Sequence, residues 1–448
     1  MGFAEKLLAA RDARAQRQFA MREKYGMPVV SFTMNIAGAE KDSPLIREGF
    51  AIGCERIMGQ LKRLQAACVE QSVLREDTGC EALFAVDADA AALKRAAVLL
   101  EEDDELGRLF DIDVIAADGR GVGRSALGMQ PRRCLLCGSA AKECARARTH
   151  TAEALKERTE NILQCAVREE TCRTIAANAT RALLYEVCTT PKPGLVDRAN
   201  NGSHRDMDIF TFMDSASVLQ PWFFRCAQIG QETRVQAPEE AFALLRAPGM
   251  LAEGTMLGAT KGVNTHKGAI FTLGIVCAAL GRLERQQRKE PKLVLRECAA
   301  MTQGLVETDM NGVTAETART QGERLYALYG ITGIRGQLEK GLPAVGEHGL
   351  RVLEQGLEAG KSRDEAGAAA LLAMMAVAED TNMLKRGGVE AAAAKAAELR
   401  EYLTRQPYPD LDWMRALDAE YIAENLSAGG CADLLAVCWL LHFVKSGE

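Results

Sequence analysis

The stretch EVCTTPKPGLVDRANNGSHRDMD, residues Glu186–Asp208, has the composition of a ligand-binding loop rather than of a core element. Pro191 and Pro193 flank Lys192, so a regular helix is disfavoured there. Basic side chains and aspartates then alternate to the end of the stretch. Aspartates can hold a divalent cation, while lysine and arginine can hold phosphate oxygens. The stretch therefore predicts a site for a metal-bound polyphosphate, with a solvated surface loop as the alternative.

Two downstream stretches have the same character, GVNTHKGAIF (Gly262–Phe271) and DTNMLKRGG (Asp380–Gly388). In the first, His266 and Lys267 stand directly before an apolar helix that is predicted to begin at Gly268. A helix N-terminus with a lysine beside it suits a phosphate group, although His266 could simply cap the helix. Alanine- and leucine-rich runs separate these stretches, which predicts polar loops on a helical scaffold.

Strand patterns occur only ahead of these stretches. The predicted strands are Met27–Met34, Leu83–Val86 and Leu109–Ile115, and the predicted helices among them are Phe3–Lys24, Leu45–Val69 and Ala88–Leu100. From Ala152 onward the pattern is helical. The sequence therefore predicts an α+β N-terminal domain, residues 1–155, followed by a larger all-α C-terminal domain, residues 165–448.

The composition of the 448 residues is ordinary for a soluble globular protein, at 48% hydrophobic and 26% charged. A net charge of -6 gives no reason to expect nucleic acid as a partner. No apolar stretch reaches the roughly 18 residues of a membrane span, so we expect no membrane partner either. Fourteen cysteines without a small disulfide framework favour a reducing cytoplasm.

Asp111 and Asp113 alternate with apolar residues on the predicted strand Leu109–Ile115, which puts both carboxylates on one face. Two adjacent carboxylates are costly unless a cation lies between them. The pair therefore predicts a Mg²⁺ site for phosphoryl or nucleotidyl transfer, with Arg108 near the phosphates. An exposed strand face is the alternative.

Four potential zinc ligands follow this strand in the pattern C-x2-C-x6-C-x5-H: Cys134, Cys137, Cys144 and His150. Three thiolates and one imidazole could hold Zn²⁺ tetrahedrally. The alternative is a set of buried thiols beside a basic loop that receives an anionic ligand.

The motifs TTPKPGLVDRANNGSHRDMD, GVNTHKGAIF, GIRGQ, DTNMLKRGG and NLSAGGCADLLA resemble those of the 2-(5''-triphosphoribosyl)-3'-dephospho-CoA synthase family, CitG, in the same order over about residues 165–448. SFTMNIAGAEK, GRLFDIDV and PRRCLLC with CARARTH resemble the CitX family of phosphoribosyl-dephospho-CoA transferases over about residues 5–155. The chain thus looks like a CitX–CitG fusion. It departs from these families at Ala37 and Ala428, where both patterns lead us to expect proline.

The resemblance implies a bifunctional transferase. The C-terminal part would join ATP to 3'-dephospho-CoA and release adenine. The N-terminal part would transfer the phosphoribosyl-dephospho-CoA group to a serine of the citrate lyase acyl carrier protein and release pyrophosphate. The alternatives are the equivalent pathway for malonate decarboxylase, and a module that binds a nucleotide or a CoA derivative without turnover.

The resemblance also suggests roles for particular residues. Asp111 and Asp113 would bind Mg²⁺ and act in transfer to the carrier serine. In the C-terminal part the expected catalytic residues are Asp197, His204, Asp206, His266 and Asp380, of which Asp206 and Asp380 would also hold Mg²⁺. The residues expected to contact ATP and dephospho-CoA are Lys192, Asn264, Thr265, Lys267, Gly268, Arg335, Gly336, Asn382, Arg386, Gly387 and Ser427. We expect Asp206, Lys267 and Asp380 to converge in space.

Overall fold

The computed structural model describes residues 2–447. The chain folds into two compact units, a first unit that runs to Glu170 and a second unit from Thr171. Strands lie in the first unit, and the described part of the second is helical, so the predicted fold class is confirmed. The division falls inside a single long helix, Ala152–Cys188, which contains both sequence-predicted boundaries, 155 and 165.

The first unit is a four-stranded antiparallel sheet with helices on both faces. Its elements are α1 (Phe3–Tyr25), β1 (Val29–Met34), α2 (Pro44–Arg63), β2 (Ala67–Glu76), β3 (Gly79–Asp87), α3 (Ala90–Glu102), β4 (Phe110–Ile115), α4 (Ala141–Ala147) and the start of α5 (Ala152–Cys188). The strand order is β2-β3-β1-β4. One sheet face carries the aromatic core, where Phe32 stacks on Phe50 at 4.9 Å between ring centroids. Helix α1 lies over the other face.

The prediction of a helix over Leu45–Val69 was wrong at its C-terminal end. Helix α2 ends at Arg63, and strand β2 begins at Ala67. This strand is at the edge of the sheet, and its side chains alternate between exposed and half-buried without an apolar run. Half-buried alternation of this kind is a weak sequence signal because few positions have to be apolar.

The second unit is a helical bundle. Its elements after α5 are α6 (Ile209–Glu232), α7 (Pro238–Ala259), α8 (Lys267–Arg282), α9 (Arg285–Arg288), α10 (Pro291–Met301), α11 (Leu305–Met310), α12 (Gln321–Tyr329), α13 (Gly333–Glu339), a π-helical turn (Ala344–Gly349), α14 (Leu350–Glu358), α15 (Arg363–Met375), α16 (Thr381–Arg405), α17 (Leu411–Ala423) and α18 (Gly429–Ser446). Helices α8 and α18 are buried along most of their length and pack on each other. The polar loop predicted at Asp380–Gly388 is helical instead: Thr381–Gly387 forms the first turns of α16, which breaks at Gly388. The motif GIRGQ is helical too and lies in α13.

Helix α18 is long and apolar enough to cross a membrane, if length and composition alone are considered over its 18 residues. However, 61% of that window is buried inside the protein. The apolarity of α18 is therefore explained by its place in the core of the second unit.

The loop between α5 and α6 is folded tightly on itself through two glycines. Gly194 and Gly202 both have positive φ, +67° and +56°. The Ser203 N–H donates to the carbonyl oxygen of Gly194 at 3.1 Å. A Cβ on Gly202 would lie 2.5 Å from the carbonyl carbon of Gly194. The loop thus needs glycine for conformation and for close approach.

Gly202→Ala is expected to lower the thermal unfolding midpoint by more than Gly312→Ala does. Both glycines have positive φ, which costs about 1–3 kcal/mol for a residue with a Cβ, but Gly312 has open space around its Cβ position. The added loss at Gly202 measures the close packing of the loop. Equal shifts in the two variants would contradict that packing.

Candidate active sites

Asp197 shapes the loop between α5 and α6 from within. Its carboxylate accepts backbone N–H groups from Lys192 at 3.0 Å, Ala199 at 2.6 Å and Asn200 at 3.1 Å. The side chain is buried, and both of its oxygens are occupied by its own loop. This geometry favours a positioning role for Asp197 over the catalytic role expected from the sequence.

Lys192 forms a buried ion pair with Glu186 at the end of α5. Their exposed fractions are 1% and 3%, so the Lys192 ammonium is not available to a ligand in solvent. Burial raises the pKa of Glu186, against the opposing attraction of Lys192. A buried pair of this kind is held because each charge compensates the other, and losing either partner leaves an uncompensated charge.

Two further carboxylates lie near this pair, Asp380 at the N-terminus of α16 and Asp433 in the first turn of α18. Asp380 accepts N–H groups from Asn382 and Met383 in α16 and, at 2.7 Å, from Cys431 in α18. It therefore caps two helices at once. Burial raises the pKa of Asp380, although these N–H groups oppose the effect.

Asp433, in the first turn of α18, is the most strongly perturbed acid of the group. Burial raises its pKa well above the usual range, and repulsion from Glu186 and Asp380 adds to this. Its carboxylate accepts the Ala269 N–H and lies where a Cβ on Gly268 would be. Gly268 thus leaves room for a carboxylate at the start of α8. We call Glu186, Lys192, Asp380 and Asp433 the acidic centre.

The acidic centre holds more carboxylates than cations. Such an excess is relieved by protonation or by a bound cation, and Mg²⁺ is commonly held by one or two carboxylates together with substrate phosphates. Within residues 2–447, no three carboxylates converge closely enough to form a complete ligand set by themselves. The donor set fits a metal that arrives with its phosphate ligand.

His266 is a buried neutral histidine beside the acidic centre. Its Nδ1 lies 2.6 Å from Ser215 Oγ, while Nε2 is buried and has no hydrogen-bond partner among the described residues. Burial lowers the pKa of His266 to about 3, and Lys192 contributes to this. A neutral imidazole with a free ring nitrogen can exchange a proton with a ligand. The two residues before it have local contacts: Asn264 Oδ1 accepts the Lys267 N–H at 3.3 Å, and Thr265 contacts Met256.

His204 belongs to a second polar group, formed by the loop and the segment before α18. Its Nε2 lies 3.0 Å from Ser427 Oγ, and its Nδ1 lies 3.4 Å from Arg386. Burial lowers the pKa of His204, Arg386 lowers it further, and nearby Asp206 opposes them. Arg386 also donates to the carbonyl oxygen of Ser203 at 2.9 Å. The structure therefore brings His204, Asp206, Arg386 and Ser427 together, and Asp206 is exposed.

Two predicted phosphate ligands are paired with acids at another cavity. Lys267 lies 2.8 Å from Glu253, and Arg335 lies 2.9 Å from Asp309. Glu253, Asp309 and Arg335 line a cavity of about 350 Å³ that is walled by aromatic side chains. The ammonium of Lys267 is thus directed to Glu253, and the predicted convergence with Asp206 and Asp380 is not seen for this side chain. To bind a phosphate at the cavity, the Arg335 guanidinium would have to divide its N–H groups between the phosphate and Asp309, or break its ion pair with Asp309.

The remaining predicted contact residues are backbone-packing positions. A Cβ on Gly336 would meet Thr332, and one on Gly387 would lie 2.8 Å from Leu426. The Asn382 amide nitrogen lies 2.7 Å from the Cβ position of Gly429, at the start of α18. Gly336 therefore leaves room for the Thr332 side chain one turn earlier, and Gly387 for Leu426 in the segment before α18. Asn382 alone of these three presents a polar side chain near the acidic centre.

The candidate site of the first unit lies on the sheet face under α1. Asp111 and Asp113 pair with Thr33 and Ser31 of β1 and lie on one face of β4, as the alternation predicts. Burial raises the pKa of Asp111, and Asp113 raises it further. A guanidinium, that of Arg132, lies 3.3 Å from Asp111.

Basic groups reach this site from α1 and from the loop after β1. Arg11, Arg14 and Lys41 line, with Asp111, a cavity of about 190 Å³. Burial lowers the pKa of Lys41, and Arg11 contributes. Arg108, the predicted phosphate ligand, instead donates to the carbonyl oxygens of Arg133 and Cys134 at 3.0 and 3.1 Å. A phosphate bound at this cavity would therefore contact Arg11, Arg14 and Lys41, which the sequence did not single out as phosphate ligands.

The two units that hold these candidate sites match two known protein families. Residues 172–448 match the family model described as CitG, ATP:dephospho-CoA triphosphoribosyl transferase, and residues 4–166 match that of CitX, apo-citrate lyase phosphoribosyl-dephospho-CoA transferase. The chain belongs to the fused CitX–CitG family. The first and second units are called the CitX unit and the CitG unit below.

Two similar proteins match nearly the whole chain, and a third matches 60% of it. A protein named CitXG from Haemophilus influenzae is 34% identical over 97% of this chain and 94% of its own length. Protein CitXG of Leuconostoc mesenteroides subsp. cremoris is 32% identical over 98% and 97%. The 2-(5''-triphosphoribosyl)-3'-dephosphocoenzyme-A synthase of Pectobacterium atrosepticum is 41% identical over 60% of this chain and 88% of its own length.

In the CitG unit, sequence reasoning missed Glu186 and Asp433 as site residues. Both lie in helices, Glu186 at the start of the stretch Glu186–Asp208 and Asp433 in the motif NLSAGGCADLLA, where a capping or packing role was equally compatible with the sequence. The available signal was an ionisable residue in an otherwise apolar helical run, which burial makes costly unless it has a partner or a function.

Asp433→Asn is expected to lower adenine release by the CitG unit by about 100-fold or more, the usual scale for an acid–base or charge-stabilising group. The thermal unfolding midpoint should stay equal or rise, because the amide removes repulsion among buried acids. In the wild type the raised pKa means that the folded state holds the proton more tightly, so stability falls as pH rises from about 4 toward that pKa. The variant should lack this slope. Unchanged adenine release, or a large loss of stability, would contradict the assignment.

His266→Gln tests the buried imidazole through acid stability. The pKa of His266 is lowered to about 3 in the folded protein, against about 6.5 in an unfolded chain. Unfolding therefore takes up a proton between these values, and wild-type stability is lost as pH falls from 6.5 toward 3. The midpoint difference between wild type and variant should shrink over that range. A pH-independent difference would count against a neutral buried His266.

Proposed function

We propose that the chain makes the prosthetic group of citrate lyase and then attaches it. The observation that carries this proposal is that one chain matches both families, CitX over residues 4–166 and CitG over 172–448. We assign the attachment reaction to residues 1–155 and the synthesis to residues 165–448, with ATP and 3'-dephospho-CoA as substrates of the latter.

In the first reaction, the 2'-hydroxyl of dephospho-CoA attacks C1' of the ATP ribose. The bond from C1' to adenine breaks, a new glycosidic bond forms, and the triphosphate stays on the transferred sugar. The hydroxyl proton leaves as adenine takes one up. Such displacements pass through a positively charged sugar, which nearby carboxylates stabilise. The acidic centre supplies this negative charge, and the free Nε2 of His266 supports a role in the proton transfer.

The group around His204 supports triphosphate binding. Arg386 is fixed by Ser203 and contacts His204, and Asp206 is exposed beside them. We propose that Asp206 would hold Mg²⁺ together with the triphosphate, and that Asp380, which caps α16 and α18, would be a second ligand of this ion. The metal would neutralise phosphate oxygens.

In the second reaction, the serine hydroxyl of the citrate lyase acyl carrier protein attacks the α-phosphorus of the triphosphoribosyl group. A phosphoester bond forms to serine, and the bond between the α- and β-phosphates breaks, releasing pyrophosphate. The carboxylate of Asp111 lines the cavity and is placed to accept the serine proton. Arg11, Arg14 and Lys41 are placed to hold phosphates, and Asp111 with Asp113 would hold Mg²⁺. Neither reaction uses the Cys/His group of residues 134–150.

Two other functions are weighed against this one. Supply of the same prosthetic group to malonate decarboxylase is disfavoured by the CitX match, whose description names apo-citrate lyase. A module that binds ATP or a CoA derivative without turnover is disfavoured by the excess of buried carboxylates. These groups lower the stability of the fold, and such groups with perturbed pKa values are typical of catalytic sites. We also propose a cytoplasmic location, which fourteen cysteines without a disulfide bond support.

Asp111→Asn should abolish attachment of pre-made prosthetic group to apo-acyl carrier protein while leaving adenine release from ATP and dephospho-CoA unchanged. Asp433→Asn should have the opposite pattern. The matched control for the first is Asp118→Asn, at an exposed aspartate that pairs with Arg120. Adenine is measured chromatographically and carrier loading by mass spectrometry. Loss of both reactions in each variant would overturn the assignment to separate sites, and no adenine release by the wild type would overturn the proposed function.

A further inference from the structure

Four side chains of the CitX unit converge outside both candidate active sites. The ligand atoms of Cys134, Cys137, Cys144 and His150 all lie within 4.8 Å of one another. The sulfur of Cys144 lies 3.5 Å from that of Cys134 and 3.9 Å from that of Cys137. These thiols are free, and the separations are too long for disulfide bonds, which are about 2.05 Å.

The separations fit a tetrahedral metal site. With zinc–sulfur bonds of about 2.3 Å, tetrahedral geometry puts neighbouring sulfur atoms roughly 3.8 Å apart. His150 adds an independent indication, because its Nε2 is buried and has no hydrogen-bond partner among the described residues. Buried polar atoms almost always have partners, so this nitrogen is suited to coordinate a metal ion.

The backbone holds the first two cysteines in a tight turn. The Cys134 N–H donates to the carbonyl oxygen of Ser139 at 2.7 Å, and the Leu136 N–H points to the sulfur of Cys134 at 3.5 Å. Gly138 has φ +73°, which lets the chain reverse. The third ligand, Cys144, is supplied by α4 and is buried. N–H groups directed at a cysteine sulfur stabilise its thiolate form, the form that binds metal.

The segment that carries the four residues has little apolar core of its own. Between Gln130 and His150, only Cys134 and Cys144 are buried. Short segments without a core are commonly held together by a structural metal. A four-coordinate site of three cysteines and one histidine is closed and leaves no position for substrate, so its role is structural.

We propose that Cys134, Cys137, Cys144 and His150 bind one structural Zn²⁺ ion in the CitX unit. Zinc suits the set because thiolate and imidazole ligands in tetrahedral geometry favour it over Mg²⁺ or Ca²⁺.

The zinc loop connects directly to the candidate transfer site. Arg132, two residues before the first ligand, lies 3.3 Å from Asp111. Arg108 next to β4 donates to the carbonyl oxygens of Arg133 and Cys134. Ordering of residues 132–134 by zinc therefore fixes the guanidinium that faces Asp111. This second step rests on the proposed function, whereas the binding of zinc does not.

The test measures metal content of the full chain, purified without chelators, by inductively coupled plasma mass spectrometry. The expected result is about one zinc per chain for the wild type and less than a fifth of that for Cys137→Ser and His150→Gln. Cys165→Ser, at an exposed thiol on α5, is the matched control and should keep its zinc. A wild type without zinc, or one that carries iron instead, would overturn the proposal, as would full zinc in both ligand variants.

A second measurement covers variants that do not fold. Wild-type protein reconstituted with Co²⁺ should show the intense visible bands of tetrahedral cobalt and a thiolate-to-cobalt charge-transfer band, and their absence would overturn the ligand set. Removal of zinc with a chelator, followed by removal of the chelator and addition of Mg²⁺, should then lower carrier loading at least tenfold and leave adenine release unchanged. Bound zinc in a protein with neither activity would uphold the metal site and refute the proposed function. Unchanged loading after zinc removal would refute the link from zinc to Arg132 and Asp111.

Discussion

The buried charge of Lys192 is the constraint around which the CitG unit is arranged. Removing an ammonium or a carboxylate from water costs several kcal/mol even after relaxation, so Lys192 and Glu186 are stable inside the protein only as a pair. Asp433 and Asp380 add negative charge to the same region, and backbone N–H groups at the starts of α8, α16 and α18 receive it. Three helix N-termini are thereby directed at one place, which is a favourable field for carboxylates and for phosphates alike. The same charged groups and helix N-termini thus stabilise the fold of the CitG unit and are available to bind a ligand.

The CitX unit manages its carboxylates differently. Strand pleating puts Asp111 and Asp113 on the face opposite the aromatic core, where both stay exposed and arginines of α1 line a cavity together with Asp111. The donor substrate of this unit is the product of the other reaction, and one chain carries both units.

The sequence predicted the class of each unit and the polar segments that carry chemistry, but not how each polar residue is used. Alternation was enough to put Asp111 and Asp113 on one face, and spacing was enough to suggest that the Cys/His group converges. The role of Asp197 could not be predicted, since it depends on three N–H groups whose directions are set by the folded loop. The partners of Arg108 and Lys267 could not be predicted for a related reason: long cationic side chains take whichever acceptor the tertiary fold brings nearest.

The burial of α18 has a consequence for biosynthesis. This helix fills the centre of the CitG unit, supplies Asp433 and packs on α8, yet it follows every other element of the unit in sequence. While a ribosome is still translating the preceding helices, the surface of α8 that later packs on α18 has no permanent cover. Nascent chains with such surfaces are prone to aggregate and are handled by chaperones. A polypeptide released by a ribosome that stalled before Gly429 would lack α18, and with it both the central helix of the hydrophobic core and Asp433.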